Sequence, residues 1–425
     1  MGLQVFIDGT DVSEFALEGS SSRRLNRLSQ ATVKFPMDAV VGSVGSRMKV
    51  VFDGELHHHG RVMSREFDGG EDFGYVVYNS EDPLELWKWR PVRDPSTSLT
   101  PGNLITPTIL EDQMSGPQIV RAMMEASENT SLIPEAAEGP LFLEYGDFET
   151  GGADLSGAPI NYPMTMMDMI SLLTSTGRLD IVVEPIDSGG NMGRLSAHNG
   201  RYGTDRRGSV IFSYGMGDYN IRGMQWNEDL SNTVNKLQYF FTPRETTESY
   251  KANITGDDPC LYYGGGDLGA GGSIRDCFQG SGNPLGALRL QSQADYGVRY
   301  EAQEFDIGEL TKENHGGAPP SYVPNDPCDG VCNTRDPKRE LWRWLWQVES
   351  TIRAKPRQMY HISPIRGFGI NSFDIGDLIT VQAGSQICGG FSLVGRVYEY
   401  TVSWSSDGPF ELSEIVTSPS QEGFS

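Results

Sequence analysis

The sequence predicts a mainly β protein with α+β insertions, built on two similar small antiparallel β-barrel or sandwich domains, the second of them discontinuous. Three observations carry this. Short stretches of alternating apolar residues closed by Asp-Gly turns fill the two ends of the chain. Helical periodicity is confined to a few segments between them. The strand-and-turn order of the first end recurs, interrupted, in the second half.

The first β-domain is expected over 1–95. LQVFIDG is a strand closed by Asp8-Gly9, and SQATVKF alternates with Ala31, Val33 and Phe35 on one face. RMKVVFDG closes on Asp53-Gly54, and GRVMSREF and FGYVVYNS follow at hairpin spacing around DGGED. Short strands joined by tight turns suit a small antiparallel barrel or sandwich.

An α+β domain is expected over 96–205. After a Pro- and Ser-rich linker, Ile119, Met123 and Ala126 recur at helical spacing, with Pro117 near the helix start. In TMMDMISLLTSTG, Thr165 can cap a second helix, Met166, Met169, Ile170 and Leu173 form its stripe, and Gly177 ends it. The methionines at 164, 166, 167 and 169 are read as helix core rather than a soft binding face. RLDIVVEP and RLSAHNG read as strands flanking a turn.

The second β-domain is expected in two pieces, 206–249 and 362–418. Between them lies a Gly- and Cys-rich insertion, 250–361. Its stretches YYGGGDLGAGGS and HGGAPPSYVPNDPCDG exclude regular helix and central strand. It ends in a Trp-rich helix, DPKRELWRWLWQVESTIRAKP, with Asp336 as N-cap, Pro337 first, Leu341, Leu345, Val348 and Ile352 on one face, and Trp342 and Trp346 beside it. That broad face is expected to be buried between domains. The β pattern returns after Pro364, and 419–425 reads as a flexible tail.

The repeat aligns Gly45 with Gly376, RMKV (47–50) with LITV (378–381), and Gly60-Arg61-Val62 with Gly395-Arg396-Val397; a DG-containing turn, Asp68-Gly69 or Asp407-Gly408, follows in each copy. It also sets LSQATVKF (28–35) against LSNTVNKLQYFF (230–241). The reading is a duplicated domain with two insertions.

With 57 acidic and 34 basic side chains the formal net charge is −23. Gripping nucleic acid needs clustered Lys and Arg, so the balance argues against that class, while it leaves room for a wall that repels DNA. No basic and apolar leader and no run of about 18 apolar residues is present, which predicts neither secretion by a signal peptide nor a membrane span.

Candidate chemistry is sparse. Cys260, Cys277, Cys328 and Cys332 all fall in the 250–361 insertion, with Cys388 apart. Disulfides or free thiols are one reading; zinc or an iron–sulfur cluster is the other, with no C-x2-C pair in the spacing C-x16-C-x50-C-x3-C to support it. The acidic pairs Asp147/Glu149 and Asp257/Asp258 match no hydrolase pattern, no Ser-His-Asp set or H-E-x-x-H occurs, and the chain is read as no enzyme, with no catalytic residue and no cofactor. The triplet His57-His58-His59 invites a metal reading. The repeat sets it against Ser392-Leu393-Val394, so His58 takes a leucine's place on the packed face, while strict alternation puts His57 and His59 on the other face beside Arg61, a poor neighbour for a cation. The reading is a strand, without metal.

The order of elements, the stretch DLSNTVN (229–235), the strand IGDLITV (375–381) and the two GRV strands resemble the trimeric tail-hub, or baseplate-hub, proteins of contractile and long-tailed phages. The resemblance implies two tail-tube-like β-domains per chain, a homotrimer forming a ring of pseudo-sixfold symmetry, and adaptation of a sixfold tail tube to a threefold tip. It implies a minor tail protein of the virion tail tip, assembled in the host cytoplasm. Its partners are then the distal tail or tail-tube protein, the tape-measure protein and other tail-tip or spike proteins, with DNA passing an acidic channel unbound. The Cys-bearing insertion has no clear counterpart there, although some relatives carry a cluster in an appended domain. The rival reading is a receptor- or carbohydrate-binding tail-tip protein that uses Trp342, Trp344, Trp346, Tyr262 and Tyr263 as a stacking surface.

Overall fold

The structure is a computed structural model that describes residues 2–39, 42–69, 74–92, 115–128, 141–151, 164–175, 177, 179–215, 219–231, 233, 236–241, 292–305, 357–364, 372–384, 390–406 and 409–419. The first part of the chain forms β1 (Leu3–Ile7), β2 (Thr10–Asp11), β3 (Glu18–Arg24), β4 (Gln30–Pro36), β5 (Arg47–Phe52), β6 (Glu55–Gly69) and β7 (Gly74–Glu81). The two Asp-Gly turns are tight because both central residues take positive φ: Asp8 48° and Gly9 82°, Asp53 51° and Gly54 88°. That backbone matches the twist of the strands on either side.

The middle of the chain forms α1 (Gly116–Glu128), β8 (Leu143–Phe148), α2 (Met166–Ser175), β9 (Asp180–Ser188) and β10 (Asn191–His198). β10 is central, parallel to β8 and antiparallel to β9. Thr165 and Asp168 cap α2 reciprocally: the Asp168 amide donates to Thr165 Oγ1 (3.1 Å) and the Thr165 amide to Asp168 Oδ2 (2.9 Å). Gly177, at φ 71°, turns the chain away. Met166, Met169, Ile170 and Leu173 are buried in the core of this unit. Leu84, Trp87 and Val92, which precede residue 96, join the same core, so packing of the insertion reaches back to the 3-10 turn Pro83–Lys88.

The later strands are β11 (Ile211–Tyr214), β12 (Ile221–Asp229), β13 (Lys236–Phe241), β14 (Tyr300–Phe305), β15 (Arg357–Pro364), β16 (Leu378–Ala383), β17 (Phe391–Ser405) and β18 (Glu411–Pro419). Thirteen strands form one sheet in the order β12-β15-β18-β17-β3-β4-β7-β6-β5-β1-β2, with β11 attached through β16. β13 and β14 pair by themselves, in parallel.

This order contains a repeat. The path β3-β4-β7-β6-β5-β1 reads in chain order like β12-β15-β18-β17-β16-β11. The registers agree as well: Met48 faces Gly60 in one hairpin and Ile379 faces Gly395 in the other. Both long strands carry an extra residue at the matching point, Met63 and Tyr398. One difference stands out: β1 lies antiparallel to β5, whereas β11 lies parallel to β16.

One expected match is corrected. The counterpart of β4 is β15, not residues 230–241. The shared Leu-Ser start is coincidental: β15 (RQMYHISP) has weak alternation and ends on a proline, yet its inward Tyr360 and Ile362 fill the places of Ala31 and Val33. A second correction is an addition. β3 (EGSSSRR) was not expected to be a strand, yet it joins the two halves through its ladder to β17.

The two units share one core. β5 and β17 stand five strands apart along the sheet, about 24 Å if flat, yet the rings of Phe52 and Trp404 are 5.6 Å apart. The sheet therefore folds over on itself as a sandwich. The four insertion cysteines, Cys388, Asp257/Asp258, Tyr262, Tyr263 and the expected Trp-rich helix lie outside the described residues.

Candidate functional site

The histidine triplet sits where the two β-units and the inserted domain meet. All three imidazoles are buried, with exposures of 8%, 1% and 2% for His57, His58 and His59. His57 is the bulged residue of β6, since Val50 faces His58 and Val51 faces Leu56. The bulge breaks strict alternation and overturns the expectation that His57 and His59 share an outer face. His57 Nδ1 meets Ser21 Oγ of β3 (2.8 Å), and its ring packs edge-on to Phe52 and Tyr400. His58 Nε2 meets Ser80 Oγ of β7 (2.9 Å), and His59 Nδ1 donates to the Ile186 carbonyl of β9 (2.5 Å).

The three rings thus bond three different strands. Among the described residues no group of His, Cys, Asp and Glu side chains is arranged to hold a metal ion. With Arg23, Ser29, Asp82, Val183 and Pro185 they line a cavity of about 10 Å³, room for about one water. Burial drives the imidazole pKa values down, that of His58 to about 3 and that of His57 well below 6.5, with Arg23 reinforcing the shift at His57. Burial drives Asp82 the other way, to about 7. Ser21, Arg23 and Asp82 were not singled out from sequence, because nothing local marks a serine-rich strand as a junction.

The arginines of the two GRV motifs both grip the inserted domain. Arg396 donates to both carboxylate oxygens of the buried Asp180 at the start of β9 (3.3 and 2.5 Å) and to the Tyr202 carbonyl (2.7 Å). Asn26, from the first unit, donates to the same carboxylate (3.1 Å). Arg61 lies over the Phe142 ring, 4.7 Å from its centre. Asp377 is buried beneath Arg206 (2.8 Å) and accepts from the Thr204 amide (2.6 Å). Glu149 accepts from His198 (3.1 Å) and from the Asn199 amide (2.9 Å), which holds its carboxyl below the ordinary range. It thereby ties the end of β8 to β10. Asp147 donates its amide to Ser196 Oγ (3.0 Å). The contacts of Glu149 and Asp147 tie β8 to β10 inside the inserted domain, whereas those of Arg396, Asn26 and Arg61 join it to the β-units.

No family model and no curated protein sequence matches the chain. Solved structures do. The 43 kDa tail protein of prophage MuSo2 from Shewanella oneidensis superposes with a TM-score of 0.51 at 12% identity, over 98% of this chain and 97% of that one. The tail protein from Neisseria meningitidis MC58 superposes with a TM-score of 0.51 at 10% identity, over 99% and 97%. The fold that the sequence resemblance implied is the fold found, and the described residues have the fold of these tail proteins.

Proposed function

We propose that the chain is a structural virion protein, a trimeric hub at the distal end of a phage tail tube that adapts the sixfold tube to a threefold tip and forms an acidic channel for DNA. The observation that carries this is the internal repeat. Two β-units of the same strand order and register in one chain are what three copies need to present six similar units around an axis. Closed cyclic symmetry is also the usual solution for identical chains. The tail-protein fold supports the same reading. So does the net charge of −23, since acids facing a channel repel phosphates.

On this reading the partners are the tail-tube protein, the tape-measure protein and a tip or spike protein, and the site is the virion tail tip. The role is non-enzymatic and needs no cofactor. No helix among the described residues is long and apolar enough to cross a membrane. The alternative, a receptor- or carbohydrate-binding tail-tip protein, rests on aromatic residues outside the described parts, and no observation favours it. Imaging of the purified oligomer tests the proposal. Three copies around a central hole are expected; a monomer without a hole at the highest soluble concentration overturns it.

A further inference from the structure

The joint between the two β-units inside one chain is a template for a joint between chains. Within the chain, β3 lies antiparallel along the outer end of β17, with Tyr400 facing Arg23, Val402 facing Ser21 and Trp404 facing Gly19. The repeat makes β6 the counterpart of β17 and β12 the counterpart of β3. The aligned GRV motifs and the shared extra residue, Met63 or Tyr398, put Arg65, Phe67 and Gly69 at the places of Tyr400, Val402 and Trp404. Gly19 faces Val33 in one ladder and Met224 faces Ile362 in the other. Val33 and Ile362 are themselves counterparts, facing Tyr78 and Ile415 in turn. Met224, Trp226 and Glu228 therefore hold the places of Gly19, Ser21 and Arg23. Among the described residues no strand pairs with the corresponding edge of β6 beyond Arg61 or with the outer edge of β12.

We infer that Met224–Glu228 of one copy pairs antiparallel with Arg65–Gly69 of the next, in the register Arg65–Glu228, Glu66–Asn227, Phe67–Trp226, Asp68–Gln225 and Gly69–Met224. This rests on the hub reading and names the surface through which the copies join. Three features of that register favour the pairing. It sets Phe67 opposite Trp226, two large apolar side chains that are 55% and 46% exposed in the single chain. Their counterparts in the internal joint, Val402 and Ser21, are both fully buried. It sets Arg65 opposite Glu228 and brings no like charges face to face. It also places a glycine opposite a large side chain, as Gly19 already stands under Trp404, where a Cβ would lie 2.3 Å from the indole. The contact is head-to-tail, so it closes into a ring when the rotation per chain suits.

The test is a double variant, Phe67→Cys with Trp226→Cys, oxidised in the full-length protein and run under non-reducing denaturing conditions. A covalent trimer in the double variant, absent from each single variant, is expected; the single variants report any reaction of the five native cysteines. A second arm uses charge. Arg65→Glu and Glu228→Arg should each weaken assembly by about tenfold or more, and the two together should restore it. A wild type that is trimeric by native mass measurement while the double variant stays uncrosslinked and the charge swap does not rescue overturns the strand pairing and leaves the hub reading standing. A wild type that stays monomeric at the highest soluble concentration overturns the hub reading, and the pairing with it.

Discussion

Gly45 and Gly376 hold the same place in the two β-units. Their φ angles are 91° and 83°. The amide of Gly45 donates to the Val62 carbonyl (2.8 Å) and that of Gly376 to the Val397 carbonyl (2.7 Å). The valine amides return the bond, to the carbonyls of Ser46 (2.9 Å) and Asp377 (3.0 Å). Their surroundings differ. A Cβ on Gly45 would meet nothing within 4 Å, whereas one on Gly376 would lie 2.6 Å from the Tyr202 carbonyl oxygen. Gly45→Ala is therefore expected to cost only the backbone strain, about 1–2 kcal/mol. Gly376→Ala should cost clearly more and loosen the segment at Tyr202. Urea unfolding of the two variants checks this, and equal losses would sink it.

The pairing of these glycines was legible in the sequence because each sits one turn before an alternating strand and upstream of a GRV triplet. Strands with inward Val, Ile and Phe, such as β4, β5 and β16, were legible for the same reason: burial on one face leaves period two. β3, β12 and β15 were not. β3 is mostly Gly, Ser and Arg, β12 (IRGMQWNED) is largely polar, and tertiary pairing rather than intrinsic preference holds both in the sheet. The bulge at His57 was invisible as well, since one extra residue leaves no mark in composition yet turns a side chain into the core. At the joints, the GRV arginines were found as repeat markers, but their partners Asp180 and Phe142 lie far away in the chain and only folding brings them together.

The two equivalent arginines should differ in cost. Arg396 and Asp180 are a buried pair, with side-chain exposures of 13% and 3%. Replacing Arg396 with Met strands a buried carboxylate, and a loss of about 3–5 kcal/mol is expected. Arg61→Met removes a cation–aromatic contact with Phe142 and should cost about 0.5–1 kcal/mol. Limited proteolysis should show the inserted domain released earlier in the Arg396 variant than in the Arg61 variant.

The cysteines of the 250–361 insertion are expected to be thiols or disulfides. Metal analysis of protein purified without chelator should find far less than one iron or zinc per chain. Near-stoichiometric metal, lost on replacing Cys328 and Cys332 together, would overturn that expectation and make the insertion a metal domain.

Acid should weaken the fold through the histidine cavity. His58 titrates near pH 3 in the folded chain, and His57 and His59 also lie below 6.5. Unfolded histidines take up protons near pH 6.5, so between pH 6.5 and about 3 the unfolded chain binds more of them, and stability falls as pH falls. Each imidazole that stays neutral contributes about 2–3 kcal/mol of that loss by pH 4.5. Asp82 works in the opposite sense. Its folded pKa is raised to about 7, so it destabilises as pH rises from about 4 to 7 and recovers part of the loss in acid. Around the cavity Arg23, Lys49 and Arg47 discourage histidine protonation, and Asp187 favours it at His59. The net effect of three histidines against one carboxyl is a decline in acid. His58→Leu, which installs the residue found at the equivalent Leu393, should remove about one histidine's share of the slope while changing stability at pH 7 little. Chemical unfolding from pH 7 down to 4.5 measures both slopes; parallel curves for wild type and variant would show that His58 titrates in the folded protein and that the cavity is not what acid attacks.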